Sequence, residues 1–394
     1  MPTYMPYQPE QAELLPAHVS DVLGRNHLCF LIHRLVEDSD LSEFDQAYGD
    51  EGGQRPYAPQ MMVKVWLYGF AVKVRTTRKL EQRLREDLGF RFLGGGCEPD
   101  HKTLSEFLRR HRGAIDGLFT QILLAMREAG MAQIGRVAID STRVKANASP
   151  DKIERQVRQQ VRQWREGMEE ETPDQEPGTQ VDPGQGEVVQ QRLRQRRAHA
   201  GDTIKRSTTD PEARFLKERG RFVLGYTGDI AVSADHFIVG QRVTQAPHDY
   251  ASLVPMVEDV EQRCRQRPFQ VLADSGFCTI ANIQVLEQRD MDLYVPDTTM
   301  AHEINTGRPA PPKVGRMALS CPELHRMRKK LRSPAGRELY QRRKSMVEPV
   351  FGILKEQRGM RQFYRRGLAG VSIEWALAAL AYNITRMYTK SRTG

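Results

Sequence analysis

Cysteine is scarce and scattered in this chain. Cys29, Cys97, Cys264, Cys278 and Cys321 are the only five in 394 residues, and no two form a CxxC pair. Cys321 and His325 have a ligand-like spacing, but no second pair completes a zinc site. Reduced thiols in a cytoplasmic protein are therefore expected. No apolar run approaches the roughly 20 residues that cross a bilayer, so no membrane association is expected. The opening residues, MPTYMPYQPEQ, lack the charged-then-apolar pattern of a secretory signal. Acid is in deficit as well: 50 Asp and Glu stand against 59 Lys and Arg, a net charge of +9. Arginine predominates among the cations. Its planar fork suits phosphate, so a polyanionic partner fits, although charge alone does not require one.

With 39% hydrophobic and 28% charged residues, the composition is that of a soluble globular protein. The length leaves room for two or three domains. Residues 1–134 read as helical. PQMMVKVWLYGFAVKV (59–74) is apolar on most faces, as in a buried helix. Residues 103–130 have helical apolar spacing through Leu104, Phe107, Leu108, His111, Ile115, Leu118, Phe119 and Ile122. Thr103 and Glu106 read as a capping box at the start of one long helix, with Gly130 as its stop. The exposed RRHR (109–112) could contact DNA or be a solvated face.

From residue 135 the pattern alternates. Residues 135–148 read as a strand with an extended continuation. RFVLGYTGDIAVSADHFIVGQRVTQA (221–246) reads as a hairpin turning near Ala234 and Asp235. FQVLAD (269–274) and MDLYVP (291–296) are short strands, and 250–264, 279–290, 336–357 and 371–388 have helical periodicity. The fold class is mixed α/β: an all-helical region over 1–134, then a mixed sheet flanked by helices over 135–394. Two insertions interrupt the second region. Residues 149–212 read as part helical and part disordered, with an acid-, Pro- and Gly-rich loop over 169–187. Residues 297–335 read as a basic, loop-like stretch. Nine of the nineteen residues from Arg326 to Lys344 are Lys or Arg, and only Glu338 among them is acidic.

Three carboxylates are the candidates for chemistry. Asp140 and Asp274 each end an apolar strand, where ligand sites of such sheets lie. A strand-end Asp also serves as a turn or cap residue. Glu348 stands among apolar residues of a helix, where an ion pair with Arg343, Lys344 or Lys355 is open to it. Clustered acids repel, and a divalent cation removes that penalty. Hard oxygen donors suit Mg²⁺ or Mn²⁺ rather than zinc.

At these residues the chain resembles bacterial insertion-sequence transposases of the DDE class. VAIDSTRVKANAS, VLADSGF and VEPVFGILK resemble their three signature blocks, and PDHKTLSEFLRRH (99–111) resembles their N-terminal helical domain. The resemblance implies an RNase H-like catalytic domain preceded by a helical domain that binds DNA ends. It implies that Asp140, Asp274 and Glu348 are catalytic and ligate two Mg²⁺, with Mn²⁺ as a substitute. Lys355 matches the Lys of the family's Y-x2-R-x3-E-x6-K signature. Upstream the chain departs: Gln341 and Lys344 fill the Tyr and Arg positions, while Tyr340 and Arg343 have the right mutual spacing one residue early.

The expected function is a DNA transposase that binds terminal inverted repeats, cleaves DNA and joins the freed 3′-hydroxyl to a target. The expected partners are that DNA and a second copy of the chain in a synaptic complex. Tyr340, Arg343, Lys344 and Lys355 would grip terminal phosphates. Arg328, Lys329 and Lys330 would lie along the duplex, and RGMRQFYRR (358–366), with Arg361, Arg365 and Arg366, would track its backbone. The alternatives are a metal-dependent nuclease that never joins strands and a non-catalytic DNA-binding protein on a degenerate transposase scaffold.

Overall fold

The computed structural model describes residues 18–48, 55–149, 207–218, 220–308 and 321–393. The N-terminal part is helical throughout: α1 (Val19–Val22), α2 (Leu28–Glu37), α3 (Ser42–Asp45), α4 (Pro59–Ala71), α5 (Thr77–Glu86), α6 (Leu88–Gly94), α7 (His101–Arg110) and α8 (Arg112–Glu128). α4 opens on a proline, whose missing N–H costs nothing in a first turn, and its last ten residues are all buried. The single helix expected over 103–130 is instead two. His111 leaves helical geometry at ψ 37°. Its ring is buried against Phe44 and Phe107, with Nε2 3.0 Å from the Tyr48 hydroxyl. Burying the imidazole against Tyr48 takes precedence over helix continuity here. The capping box is also corrected, because Asp100 is the cap and its Oδ1 accepts from the Thr103 amide at 2.7 Å. Glu106 is drawn into an ion pair with Arg109 instead. Gly130 follows the end of α8 at φ +68°, as a helix stop should.

The sheet comprises β1 (Arg136–Lys145), β2 (Arg214–Glu218), β3 (Arg221–Ser233), β4 (Ile238–Thr244), β5 (Gln270–Ala273) and β6 (Asp292–Tyr294). β3 pairs antiparallel with β1, β2 and β4, while β5 runs parallel to β1 and β6 parallel to β5. Val137, Ala138 and Ile139 and all of β5 are buried, as a sheet covered on both faces requires. The expected hairpin turns at Ala234–His236, where His236 takes a positive φ.

The helices α9 (Leu253–Cys264), α10 (Ile280–Gln288), α11 (Thr298–Thr306), α12 (Pro322–Arg332), α13 (Pro334–Gly352) and α14 (Gly367–Thr393) complete the fold. α9 packs on β3 and β4, and α13 packs on β1, β3 and β5. α14 packs on β4 and also on α2, α4 and α8, so it joins the helical region to the sheet. By length and hydropathy α14 could cross a membrane, but 72% of its apolar window is buried inside the protein, and it is a core helix. Trp375 of α14 lies flat on Gly228, where an added Cβ would come within 2.8 Å of the indole.

Pro349 stands inside α13, three residues before its end, and the chain continues as a π-helical turn over Ile353–Gln357. The Arg358 amide closes this wider turn on the Ile353 carbonyl at 2.9 Å. The loop expected over 297–335 is corrected: α11 and α12 fill much of it. Met327 and Leu331 are the buried positions of α12, too sparse a stripe to show through its charges. Most of the 149–212 insertion, including its acidic loop, lies outside the described residues.

Candidate active site

Asp140 does not end its strand, because β1 runs on through Lys145 in its ladder with β3. It does end the pairing with β5. Ile139 and Ala273 are the last register pair of that parallel ladder, so Asp140 and Asp274 follow at the same level. Asp274 then turns the chain into a short 3₁₀ segment, Ser275–Phe277. The Ser141 amide donates to Asp140 Oδ1 at 2.9 Å.

Arg343 of α13 lies between the two aspartates. Its Nη1 is 2.9 Å from Asp140 Oδ2 and its Nη2 3.5 Å from Asp274 Oδ1. The side chains of Arg343, Asp140 and Asp274 are 7%, 22% and 46% exposed, so the group is most open on the Asp274 side. Burial raises the Asp140 carboxyl above the usual aspartate range, against the opposing pull of Arg343. The Tyr340 ring lies 5.9 Å from the guanidinium, and burial pushes its hydroxyl up to about 12.

Glu348 is carried by the same helix but on its exposed side; Met346, Val347 and Val350 are the buried positions. The ion pair left open for it does not form among the described residues. Arg343 is held by the aspartates, Lys344 Nζ donates to Asn305 Oδ1 at 3.0 Å, and Lys355 Nζ is 3.6 Å from Glu218. Among the described residues no group of three or more acid, His or Cys side chains is gathered tightly enough to hold a metal ion. The two aspartates nevertheless fit a hard divalent cation. They offer oxygen donors only, converge on one positive group and reach solvent through Asp274.

The basic stretch before Glu348 is not the free cationic surface that its sequence suggests. Arg326 pairs with Glu287, Arg328 with Asp297, Lys330 with Asp292 and Arg332 with Glu303. Those acids lie 29 to 39 residues upstream, and the fold brings them alongside. The 358–366 stretch is also divided. Arg358, Met360 and Phe363 are buried, and Arg365 is turned inward over the Trp66 ring. Arg361 pairs with Glu356, and Arg366 donates to the Asn147 carbonyl at 3.0 Å. Tyr364 is half-exposed beneath the Arg75 guanidinium.

Behind the aspartates is a second polar group that sequence reading missed. The Ser141 hydroxyl donates to Asp229 Oδ1 at 2.7 Å. Arg143 Nη1 reaches Thr227 Oγ1 and Asp249 Oδ1, each at 2.9 Å. Burial raises the Asp229 carboxyl to about 6. The only trace of this group in the sequence is the run of polar residues after Asp140.

Comparison with known proteins agrees at both ends of the chain. Residues 18–110 match the family described as Transposase domain (DUF772), and residues 317–388 match the Transposase DDE domain. Segments before and after the sheet in sequence thus match transposase families, and the resemblance to DDE-class transposases is borne out. Glu348 and Lys355 fall within the second match; Asp140 and Asp274 lie outside both. No curated protein matches the chain. Among solved structures, a pre-cleavage Mos1 transpososome aligns at 11% identity over 89% of this chain and 83% of that one, with a TM-score of 0.19.

Proposed function

We propose that this protein is a DNA transposase that cleaves the ends of its own element and joins them to a target, acting at Asp140, Asp274 and Glu348. The observation that carries the reading is the meeting of Asp140 and Asp274 at one level of the sheet. They meet under the helix that bears Glu348, in a chain whose two ends match transposase families. Asp140 and Asp274 would hold Mg²⁺, and Glu348, which stands on the exposed side of α13 and is not gathered with them here, would have to turn in as the third ligand when metal and DNA bind. A pair of such ions supplies an activated water or 3′-hydroxyl and stabilises the leaving oxygen.

The chain's own residues orient this chemistry. The Ser141 amide fixes the Asp140 carboxylate, and the rigid β1–β5 ladder sets its spacing from Asp274. Lys355 stands beside Glu218 and would exchange that carboxylate for a terminal phosphate. The exposed side of α13 and the helical region would receive the DNA, and synapsis of two ends would use two copies of the chain. A strand-transfer assay with precut ends tests the reading. Joined products support a transposase, cleavage without joining indicates a nuclease, and neither indicates a DNA-binding scaffold.

A further inference from the structure

Among the described residues Arg343 is the one cation in contact with both Asp140 and Asp274. Its Nε is buried with no hydrogen-bond partner, so the guanidinium is not locked by a full set of bonds. Its two contacts are unequal: tight to the less exposed Asp140, loose to the half-exposed Asp274. A guanidinium and a divalent cation satisfy the same need, positive charge between two carboxylates, and the two compete for it. A guanidinium that gives up carboxylates is also a good partner for a phosphate, which accepts the same forked pair of N–H bonds.

We propose that Arg343 is an exchangeable counter-cation of this site. In the metal-free protein it holds Asp140 and Asp274 together. When a divalent cation takes the carboxylates, Arg343 gives them up, beginning at Asp274, and its fork becomes available to a DNA phosphate. Metal and DNA binding are then positively coupled through one side chain, because each favours the arrangement in which Arg343 has left the aspartates. The inference rests on the reading of Asp140 and Asp274 as metal ligands, and the test separates the two.

The test uses the full-length protein, Mn²⁺ and a short duplex, with affinities read by calorimetry for the metal and fluorescence anisotropy for the DNA. Without DNA, Arg343→Gln should bind Mn²⁺ about tenfold tighter than wild type, since a competing charge has gone. In the wild type, Mn²⁺ should tighten duplex binding by a factor in the range of about 5–150, and in Arg343→Gln that factor should fall, leaving only the direct attraction of the metal for phosphate. If Arg343→Gln does not fold, Arg343→Lys replaces it. A point charge cannot span both carboxylates, so Mn²⁺ again binds tighter than to wild type, by a smaller factor. Equal or weaker Mn²⁺ binding in the variant, or undiminished coupling in Arg343→Gln, overturns the inference. Asp140→Asn and Asp274→Asn decide the underlying reading. If neither weakens Mn²⁺ binding, the metal is elsewhere and the proposed site falls with the inference. If both weaken it while Arg343 is indifferent, the inference alone falls.

Discussion

Asp140 and Asp274 leave the β1–β5 ladder side by side, each one residue beyond the last register pair, Ile139 and Ala273. The spacing of the two acids is therefore a property of the sheet rather than of a loop. Parallel pairing fixes the two strands in register, and buried apolar residues on both strands hold that register.

The ion pair between Arg75 and Glu374 should be the most sensitive point of the junction between the helical region and the sheet. The two side chains are 2% and 3% exposed. Glu374 also accepts from the Tyr364 and Arg365 amides, and Arg75 also reaches the Gln362 carbonyl at 2.7 Å. Arg75→Ala should cost about 3–5 kcal/mol in urea denaturation, because it strands a buried carboxylate. Arg75→Met combined with Glu374→Leu should cost much less, since neither charge is then left alone. Equal losses in the two variants would show that packing rather than charge sets the cost.

Asp229 should impose a pH dependence on stability. Ser141, Ser252, Asp249 and Arg143 face it, and burial lifts its carboxyl from 3.8 to about 6. The folded chain therefore holds this proton more tightly than the unfolded chain does. The resulting stability is fully present below pH 3.8, is lost as pH rises to about 6, and amounts to about 3 kcal/mol. Asp229→Asn keeps an acceptor for Ser141 and carries no charge, so it should flatten this slope and be at least as stable as wild type at pH 7. Denaturant midpoints between pH 4 and 7 check this. Parallel slopes for the two proteins would show that Asp229 is not the group responsible.

Alanine at Arg328, Lys329 and Lys330 together should reduce the salt slope of DNA binding by about one unit, not three. Arg328 and Lys330 are already neutralised by Asp297 and Asp292. Lys329 has no ion pair among the described residues. Binding isotherms at several salt concentrations measure this. A drop near three would mean that the internal pairs open and the whole stretch lies on DNA.

Much of this architecture was legible in the sequence, and the reason differs by element. Val137–Ile139 and Gln270–Ala273 announce buried strands because a doubly covered sheet tolerates only apolar side chains. α4 and α14 are legible for the same reason. α12 was not, because two buried residues among six charges make no visible stripe. The break at His111 was hidden because an aromatic ring at a buried helical position keeps the periodicity intact. Asp140 and Asp274 stood out as acids after apolar runs. Arg343's place between them did not, since 203 residues separate it from Asp140 and only the fold unites them. The pairing of the basic stretch escaped for the same reason, because its acids arrive from α10, α11 and β6.

The central claim is that Asp140, Asp274 and Glu348 act as one catalytic site on DNA. The most direct measurement is Mg²⁺-dependent cleavage of a labelled duplex taken from the DNA flanking this protein's own coding sequence. Wild type should be compared with Asp140→Asn, Asp274→Asn and Glu348→Gln at matched DNA occupancy. Wild type should cleave at defined positions, and each variant should lose at least about a hundredfold in cleavage with duplex affinity retained. Wild-type activity preserved in Glu348→Gln, or in either aspartate variant, would contradict it.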